Sequence, residues 1–162
     1  MNTFKIIEVK ESIFANNDAE AEKLRGRLKE EKTFLMNLMS SPGSGKTTIL
    51  MRTIEALKEE LRIGVMEADI DSDVDAAKIA TTGVKSIQLH TGGMCHLDAA
   101  MTEQEINELG CEDLDLVVLE KVGEFAHMRN PNLKIFPISA KIGEGMEEWC
   151  SWLKEQVAQW KA

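Results

Sequence analysis

A glycine-containing turn lies between an apolar run and an amphipathic stretch, and this order constrains the fold of the 162-residue chain more than any other feature. Residues 33–39 are mostly apolar and predict a short strand that is buried on both faces. Residues 40–48 read Ser-Ser-Pro-Gly-Ser-Gly-Lys-Thr-Thr. Leu50, Ile54 and Leu57 then recur at helical spacing. Because glycines let successive backbone N–H groups turn inward around phosphate oxygens, strand, turn and helix in this order predict a phosphate-binding loop.

The rest of the chain alternates predicted strands with predicted helices. An amphipathic helix over about 15–32 precedes the first core strand. The alternation predicts a single domain over 1–162, with the three-layer α/β fold of a P-loop NTPase: a mostly parallel sheet with helices on both faces. Ligands bind such sheets at the carboxyl ends of the strands. Further strands are predicted over 62–68, 86–90, 114–119 and 134–138, and further helices over 74–80, over a segment ending at Leu109, and over 144–160.

The turn offers the contacts that a nucleoside triphosphate requires, with one departure from the usual pattern. Ser40 stands where the first glycine of the motif is usual. The following helix adds roughly half a positive charge at its N-terminus. Lys46 is predicted to contact the β- and γ-phosphates, and the Thr47 hydroxyl to bind Mg²⁺. The predicted nucleotide contacts in this segment are Pro42, Gly43, Ser44, Gly45, Lys46, Thr47 and Thr48.

Acidic residues follow two of the predicted strands. Asp69 ends the second strand, where a carboxylate can meet Mg²⁺ or orient the attacking water. Glu120 ends the fourth strand and precedes Gly123 by three residues, a spacing that fits a switch sensing the γ-phosphate. Lys46, Asp69 and Glu120 are therefore the predicted catalytic residues. Three further acidic residues are either additional Mg²⁺ contacts or a solvated turn: Asp71, Asp73 and Asp75.

Composition excludes several classes of function. The formal net charge of −9, with acidic residues spread along the chain, argues against a nucleic-acid binder. Because no apolar stretch has the length of a secretory signal or a membrane span, a cytoplasmic protein without a membrane partner is expected. The three cysteines are widely spaced and do not form a disulfide framework. Cys111 and Cys150 are interpreted as partly buried apolar residues.

Cys95 and His96 form an adjacent pair of soft ligands after a glycine-containing loop. Such a pair can donate to one Ni²⁺ or Zn²⁺, but a complete shell requires at least two more ligands. From these residues alone, a metal site is less favoured than an ordinary loop.

Three segments together resemble the HypB-type hydrogenase nickel-incorporation GTPases: residues 40–48, Asp69-Ile70 with Asp75-Ala76, and residues 91–99, which read Thr-Gly-Gly-Met-Cys-His-Leu-Asp-Ala. The resemblance implies a three-layer GTPase that uses GTP, GDP and Mg²⁺ and forms a homodimer on GTP binding. It also implies that Cys95 and His96 hold Ni²⁺ or Zn²⁺ between two subunits, so that two copies of the pair complete four ligands.

The same resemblance implies a role in [NiFe]-hydrogenase maturation, in which slow GTP hydrolysis couples dimerisation to nickel delivery. The implied partners are a HypA-type nickel accessory protein and the precursor of a hydrogenase large subunit. Ser139, Ala140 and Lys141 resemble the last guanine-contacting motif of the family, in which the Ala140 N–H faces the base carbonyl.

The chain departs from the family at two places. His127 stands where the family has a further cysteine, and it is either a replacement ligand or a surface histidine. The Asn-Lys-x-Asp element that reads guanine in the family is absent from this sequence. Fewer than twenty residues separate the predicted switch, Glu120 to Gly123, from Ser139, where the family has tens more. Either the chain is a natural or engineered shortened form, or a disordered segment is missing from the sequence. A scaffold that binds nucleotide and metal without hydrolysing GTP is the alternative function, and an ATP-dependent small-molecule kinase ranks below it.

Overall fold

A computed structural model of the protein describes residues 5–8, 17–41, 43–68, 73–90, 97–122 and 134–162. Within these ranges, five strands form one sheet in the order β1-β4-β3-β5-β2, and every pairing is parallel. The predicted parallel α/β architecture is thereby confirmed. The strands are β1 (Lys5–Glu8), β2 (Phe34–Ser40), β3 (Ile63–Glu67), β4 (Lys85–His90) and β5 (Leu116–Val122).

Helices cover both faces of this sheet. Helices α1 and α4 pack against each other on one face, whereas α2 contacts both α3 and α5 on the other. Among the described residues, no helix combines the length and the apolar character that a membrane span requires. The helices are α1 (Asn17–Glu30), α2 (Lys46–Leu57), α3 (Asp73–Ala80), α4 (Ala99–Leu109) and α5 (Met146–Lys161), and a short 3₁₀ helix spans Cys111–Asp113.

Strand β5 shows why this sequence forms a sheet buried on both faces. Val117 and Leu119 join the core under α1 and α4, whereas Leu116 and Val118 join the core under α2 and α5. All four are at most 2% exposed. Successive side chains of a strand point to opposite faces, so a continuous apolar run requires a helix layer on each side.

The structure differs from the sequence-based prediction at two elements. Residues 134–138 do not form a strand. Pro137 has no N–H to donate to a sheet, and the apolar pattern instead reflects contact with α5, because the ring of Phe136 lies 5.1 Å from that of Trp149 and 5.0 Å from that of Trp152. Strand β1 was not predicted, because four residues with a charge at each end give too little pattern.

Helix α5 is anchored to the sheet at its C-terminal end. Arg62 donates to both carboxylate oxygens of Asp115 at 3.0 Å, and Lys161 of α5 donates to the same carboxylate at 2.5 Å. The hydrogen bonds from Arg62 above all hold the pKa of Asp115 well below its usual range. Trp160 packs edge-on against Phe34, with ring centroids 6.0 Å apart. Trp160 thus packs the C-terminal end of this helix against the sheet.

Two cysteines have the structural role that the sequence predicts. Cys111 is fully buried in the core under α1 and α4, and burial raises the pKa of its thiol to about 12. Cys150 is half-buried against the core under α2 and α5. A thiol with a raised pKa is a poor nucleophile and a poor metal ligand. Both cysteines thus pack among apolar neighbours.

Candidate nucleotide-binding site

The loop between β2 and α2 has the geometry of an anion cradle. Gly43 and Gly45 have φ angles of 72° and 89°, in the left-handed region that favours glycine. Gly45 stands at the N-cap of α2 and provides no side-chain cap, and Ile49 N–H donates to its carbonyl at 3.0 Å as the first helical bond. The N–H groups of the first α2 turn, which precede this bond, are those that an anion at a helix N-terminus engages.

Ser40, which replaces the usual first glycine of the motif, makes a hydrogen bond across the loop. Ser40 is the last residue of β2, and its Oγ lies 2.6 Å from the Oγ of Ser44. Ser44 N–H also donates to the Ser41 carbonyl at 3.3 Å. The departure from the motif thus adds a hydroxyl contact across the turn and leaves both left-handed glycines in place.

Lys46 lies over the loop rather than in solvent. Its side chain is only 7% exposed, and Nζ approaches the Ser41 carbonyl at 3.5 Å. A largely buried lysine at a glycine turn before a helix N-terminus favours a polyanionic ligand. Thr47 is half-buried and Thr48 is exposed, while Pro42 lies outside the described residues.

Two buried carboxylates lie at the same end of the sheet as the loop. Glu67 ends β3, Glu120 lies near the end of β5, and each is 2% exposed. They are register partners on adjacent strands, and Leu38 of β2 is the partner of Glu120 on its other side. Sequence reasoning identified Glu120 and missed Glu67, although an acidic residue that closes an apolar strand was the available signal. The oxygen-rich set of Thr47 with these carboxylates suits Mg²⁺.

The acidic turn after β3 is only partly described. Asp69 and Asp71 lie outside the described residues, although Ala68 N–H donates to the Glu120 carbonyl at 2.9 Å and fixes the point from which the turn departs. Asp75 lies on α3 and accepts a hydrogen bond from Lys78 at 2.9 Å. This contact favours the surface alternative for Asp75 over a Mg²⁺ contact.

A second turn, residues 139–145, approaches the phosphate loop from the C-terminal part of the chain. Gly143 N–H donates to the Ser139 carbonyl at 2.8 Å, and Ser139 N–H donates to the Glu144 carbonyl at 3.0 Å. The Cβ of Ala140 lies 3.6 Å from the position that a Cβ on Gly45 would occupy. The structure therefore brings the two predicted nucleotide-binding segments close together.

Replacing Gly145 with Ala is expected to lower the free energy of unfolding by about 1–3 kcal/mol, because its φ of 78° is unfavourable for a side chain. The new Cβ would also lie 2.4 Å from the Pro137 carbonyl oxygen, a backbone atom that cannot rotate away. Urea denaturation measures the change. Gly26→Ala is the control, since Gly26 lies on a helix with open space around it, and that change should stabilise by about 0.5–1 kcal/mol. Equal effects of the two changes would contradict the prediction.

The predicted nickel ligands Cys95, His96 and His127 lie outside the described residues. The helix after the cysteine–histidine pair is described: α4 begins at Ala99, and the Asp98 carboxylate accepts the Met101 N–H at 2.8 Å as an N-cap. In the part of the chain that the structure describes, no three His, Cys, Asp or Glu side chains are grouped so as to hold a metal ion.

Comparison with known proteins agrees with this geometry. Residues 34–144 match the family model described as CobW/HypB/UreG, nucleotide-binding domain. The chain is 32% identical to the hydrogenase maturation factor HypB of Rhizobium leguminosarum bv. viciae, over 98% of this chain and 73% of that protein. The chain belongs to the HypB family.

Solved structures of HypB proteins share this fold. HypB from Archaeoglobus fulgidus is similar with a TM-score of 0.77 and 26% identity, over 89% of this chain and 100% of that one. HypB from Helicobacter pylori, solved in complex with nickel, is similar with a TM-score of 0.58 and 34% identity, over 68% of this chain and 52% of that one. The α/β P-loop NTPase fold predicted from the sequence is confirmed.

The HypB relatives contain internal residues that this chain lacks. The alignment with the Rhizobium protein extends over 219 positions, more than the 162 residues of the chain. The excess positions are gaps in this chain, inside the aligned region. This agrees with the absence of the Asn-Lys-x-Asp element from the sequence.

Proposed function

We propose that this chain is a slow GTPase that couples GTP-dependent dimerisation to nickel delivery during [NiFe]-hydrogenase maturation. The observation that carries the proposal is the N-terminus of α2, which has no side-chain cap and follows left-handed Gly43 and Gly45, with the buried Lys46. Two buried carboxylates lie at the same end of the sheet. Membership of the HypB family supports the choice of GTP and of nickel.

Hydrolysis would proceed by in-line attack of water on the γ-phosphorus, breaking its bond to the β–γ bridging oxygen and releasing GDP and phosphate. Lys46 and the α2 N-terminus would neutralise the charge that develops on the phosphate oxygens. Mg²⁺, held by Thr47 and Asp69, would supply further positive charge. Glu120 would act as the switch residue that senses the bound Mg²⁺ and γ-phosphate. The sequence offers no evident arginine finger, so turnover would be slow, as a switch requires.

The base would lie against residues 139–145, with the Ala140 N–H facing the guanine carbonyl and Ser139 and Lys141 beside it. The close approach of Ala140 to Gly45 supports this placement, because it brings the turn to the phosphate loop. Without an Asn-Lys-x-Asp element, specificity for guanine would fall further than affinity for phosphate, since the phosphate loop is complete.

Nickel would bind where two copies of the chain meet. Cys95 and His96 from each subunit would complete a four-ligand shell for Ni²⁺ or Zn²⁺, with His127 as a further donor. The metal would be received from a HypA-type accessory protein and passed to the precursor of a hydrogenase large subunit. The solved complex of Helicobacter pylori HypB with nickel supports a metal role for this chain.

Replacing Cys95 with Ala is expected to weaken Ni²⁺ binding at least about 10-fold, because one soft ligand is lost from each subunit. Calorimetric titration of Ni²⁺ and Zn²⁺ into the wild type and the variant, with GDP or a GTP analogue present, measures affinity and stoichiometry. Cys150→Ala is the matched control, because this half-buried thiol belongs to α5 and packs against the apolar core, and the variant should bind Ni²⁺ as the wild type does. Unchanged Ni²⁺ affinity in Cys95→Ala would refute the proposed ligand.

The alternative function is a scaffold that binds nucleotide and metal without hydrolysis, and the missing Asn-Lys-x-Asp element favours it. Measuring phosphate release from GTP and from ATP, with and without Mg²⁺, separates the two. Release from GTP that depends on Mg²⁺ supports the GTPase. Nucleotide binding without release supports the scaffold.

A further inference from the structure

The turn formed by residues 139–145 is attached to α2, the helix that begins in the phosphate loop. A buried hydrogen bond joins the two helices below the turn: Trp149 Nε1 on α5 donates to Thr53 Oγ1 on α2 at 2.8 Å. Thr53 in turn donates to the Ile49 carbonyl at 2.8 Å. Trp149 and Thr53 are 6% and 2% exposed, so this link fixes the start of α5 independently of the turn itself.

The apex of the turn projects beyond this core. Ile142 is 72% exposed, and Lys141 is exposed beside it. Apolar burial therefore contributes little to holding the apex, whose position decides where the Ala140 N–H lies. A turn in this situation depends on polar contacts to keep one position.

Arg52, the residue before Thr53 on α2, reaches the apex. Its Nη2 approaches the Lys141 carbonyl at 3.4 Å. Its Nη1 lies 3.1 Å from the position that a Cβ on Gly143 would occupy, so the guanidinium lies directly against the turn. The planar guanidinium, with five N–H donors, can hold a backbone carbonyl with little further loss of side-chain freedom.

We infer that Arg52 is a positioning residue, which holds the turn at a fixed distance from the phosphate loop and so sets where the base binds. This inference rests on the proposed function, since it requires the turn to contact the base of a bound nucleotide. Arg52 lies about 1.7 helical turns along α2 from Lys46, so it acts on residues 139–145 and not on the phosphates.

The test compares a ligand that has a base with one that does not. In Arg52→Ala, the affinity for GDP is expected to fall about 3- to 10-fold, and the affinity for inorganic pyrophosphate to stay unchanged. Arg52→Lys should recover part of the loss, because the ammonium can still donate to the Lys141 carbonyl. Lys58→Ala removes a positive charge near the far end of the same helix and should leave both affinities unchanged. Calorimetry or displacement of a fluorescent nucleotide measures each affinity.

The possible results distinguish a failure of the role inferred for Arg52 from a failure of the proposed base contact. If the wild type binds GDP no more tightly than pyrophosphate, the proposed base contact fails. If the wild type prefers GDP and Arg52→Ala keeps the same preference, only the inference fails. An equal loss for both ligands would show a general effect on the fold and would also overturn it.

Discussion

Replacing Lys46 with Ala is expected to lower GTP hydrolysis at least about 100-fold and to abolish dimerisation in response to GTP. Lys46 is 7% exposed and its Nζ lies over the phosphate loop, where it would meet the β- and γ-phosphates. Without it, the cradle retains its backbone N–H groups but loses its only full positive charge among the described loop residues, 40–41 and 43–48. Interactions between charges in a buried site have larger effects than in water.

Phosphate release gives the rate, and light scattering after size exclusion gives the mass with GDP or a GTP analogue. Lys58→Ala is the matched control, because this lysine lies just after α2 and pairs with Glu55 at 2.9 Å on the surface. It should hydrolyse GTP and dimerise as the wild type does. A Lys46→Ala protein that still dimerises with GTP would refute the model of the nucleotide switch.

Much of the fold follows from local pattern. The apolar run of β2, the glycine turn and the amphipathic α2 have distinct periodicities, so the sequence predicts all three in order. The parallel sheet follows from the alternation of strands and helices. The turn between β2 and α2 was predictable for the same reason, because its residues lie in one continuous segment.

Contacts between distant segments were not predictable from pattern. No periodicity relates Ala140 to Gly45, or Arg52 to the Lys141 carbonyl, since these pairs meet only after the helices pack. At Phe136 the sequence pattern was present but misleading. Apolar residues over 134–138 predicted a strand, whereas in the structure Phe136 packs against the tryptophans of α5. Asp69 and the cysteine–histidine pair lie outside the described residues, so their roles stay predictions.

Glu105 is a buried carboxyl group that should make the stability of the protein depend on pH. It lies on α4 with no exposed surface, and neither oxygen has a hydrogen-bond partner among the described residues. Burial raises the pKa of Glu105 from 4.5 to about 8. The folded protein therefore keeps this proton to a higher pH than the unfolded chain does.

The direction of the effect follows from the proton count. Between pH 4.5 and about 8 the folded state binds more protons at Glu105 than the unfolded state, so the free energy of unfolding falls as pH rises. The slope is at most about 1.4 kcal/mol per pH unit. Asp115 affects stability in a different pH range. Because its pKa is lowered in the folded state, the stability that it contributes is lost only as the pH falls below 3.8, the ordinary pKa of an aspartate.

In Glu105→Gln the amide keeps the shape of the side chain but cannot ionise, so stability near pH 4.5 should change little and stability at pH 7.5 should rise by about 2–4 kcal/mol. Urea denaturation at several pH values between 5 and 8 measures both slopes, and the two proteins differ only at residue 105. Glu103→Gln is the control, because this partly exposed carboxylate on the same helix lies 3.8 Å from Arg27. If Glu105→Gln and the wild type lose stability in parallel as pH rises, Glu105 does not hold a proton in the folded state, and the pH dependence must come from other groups.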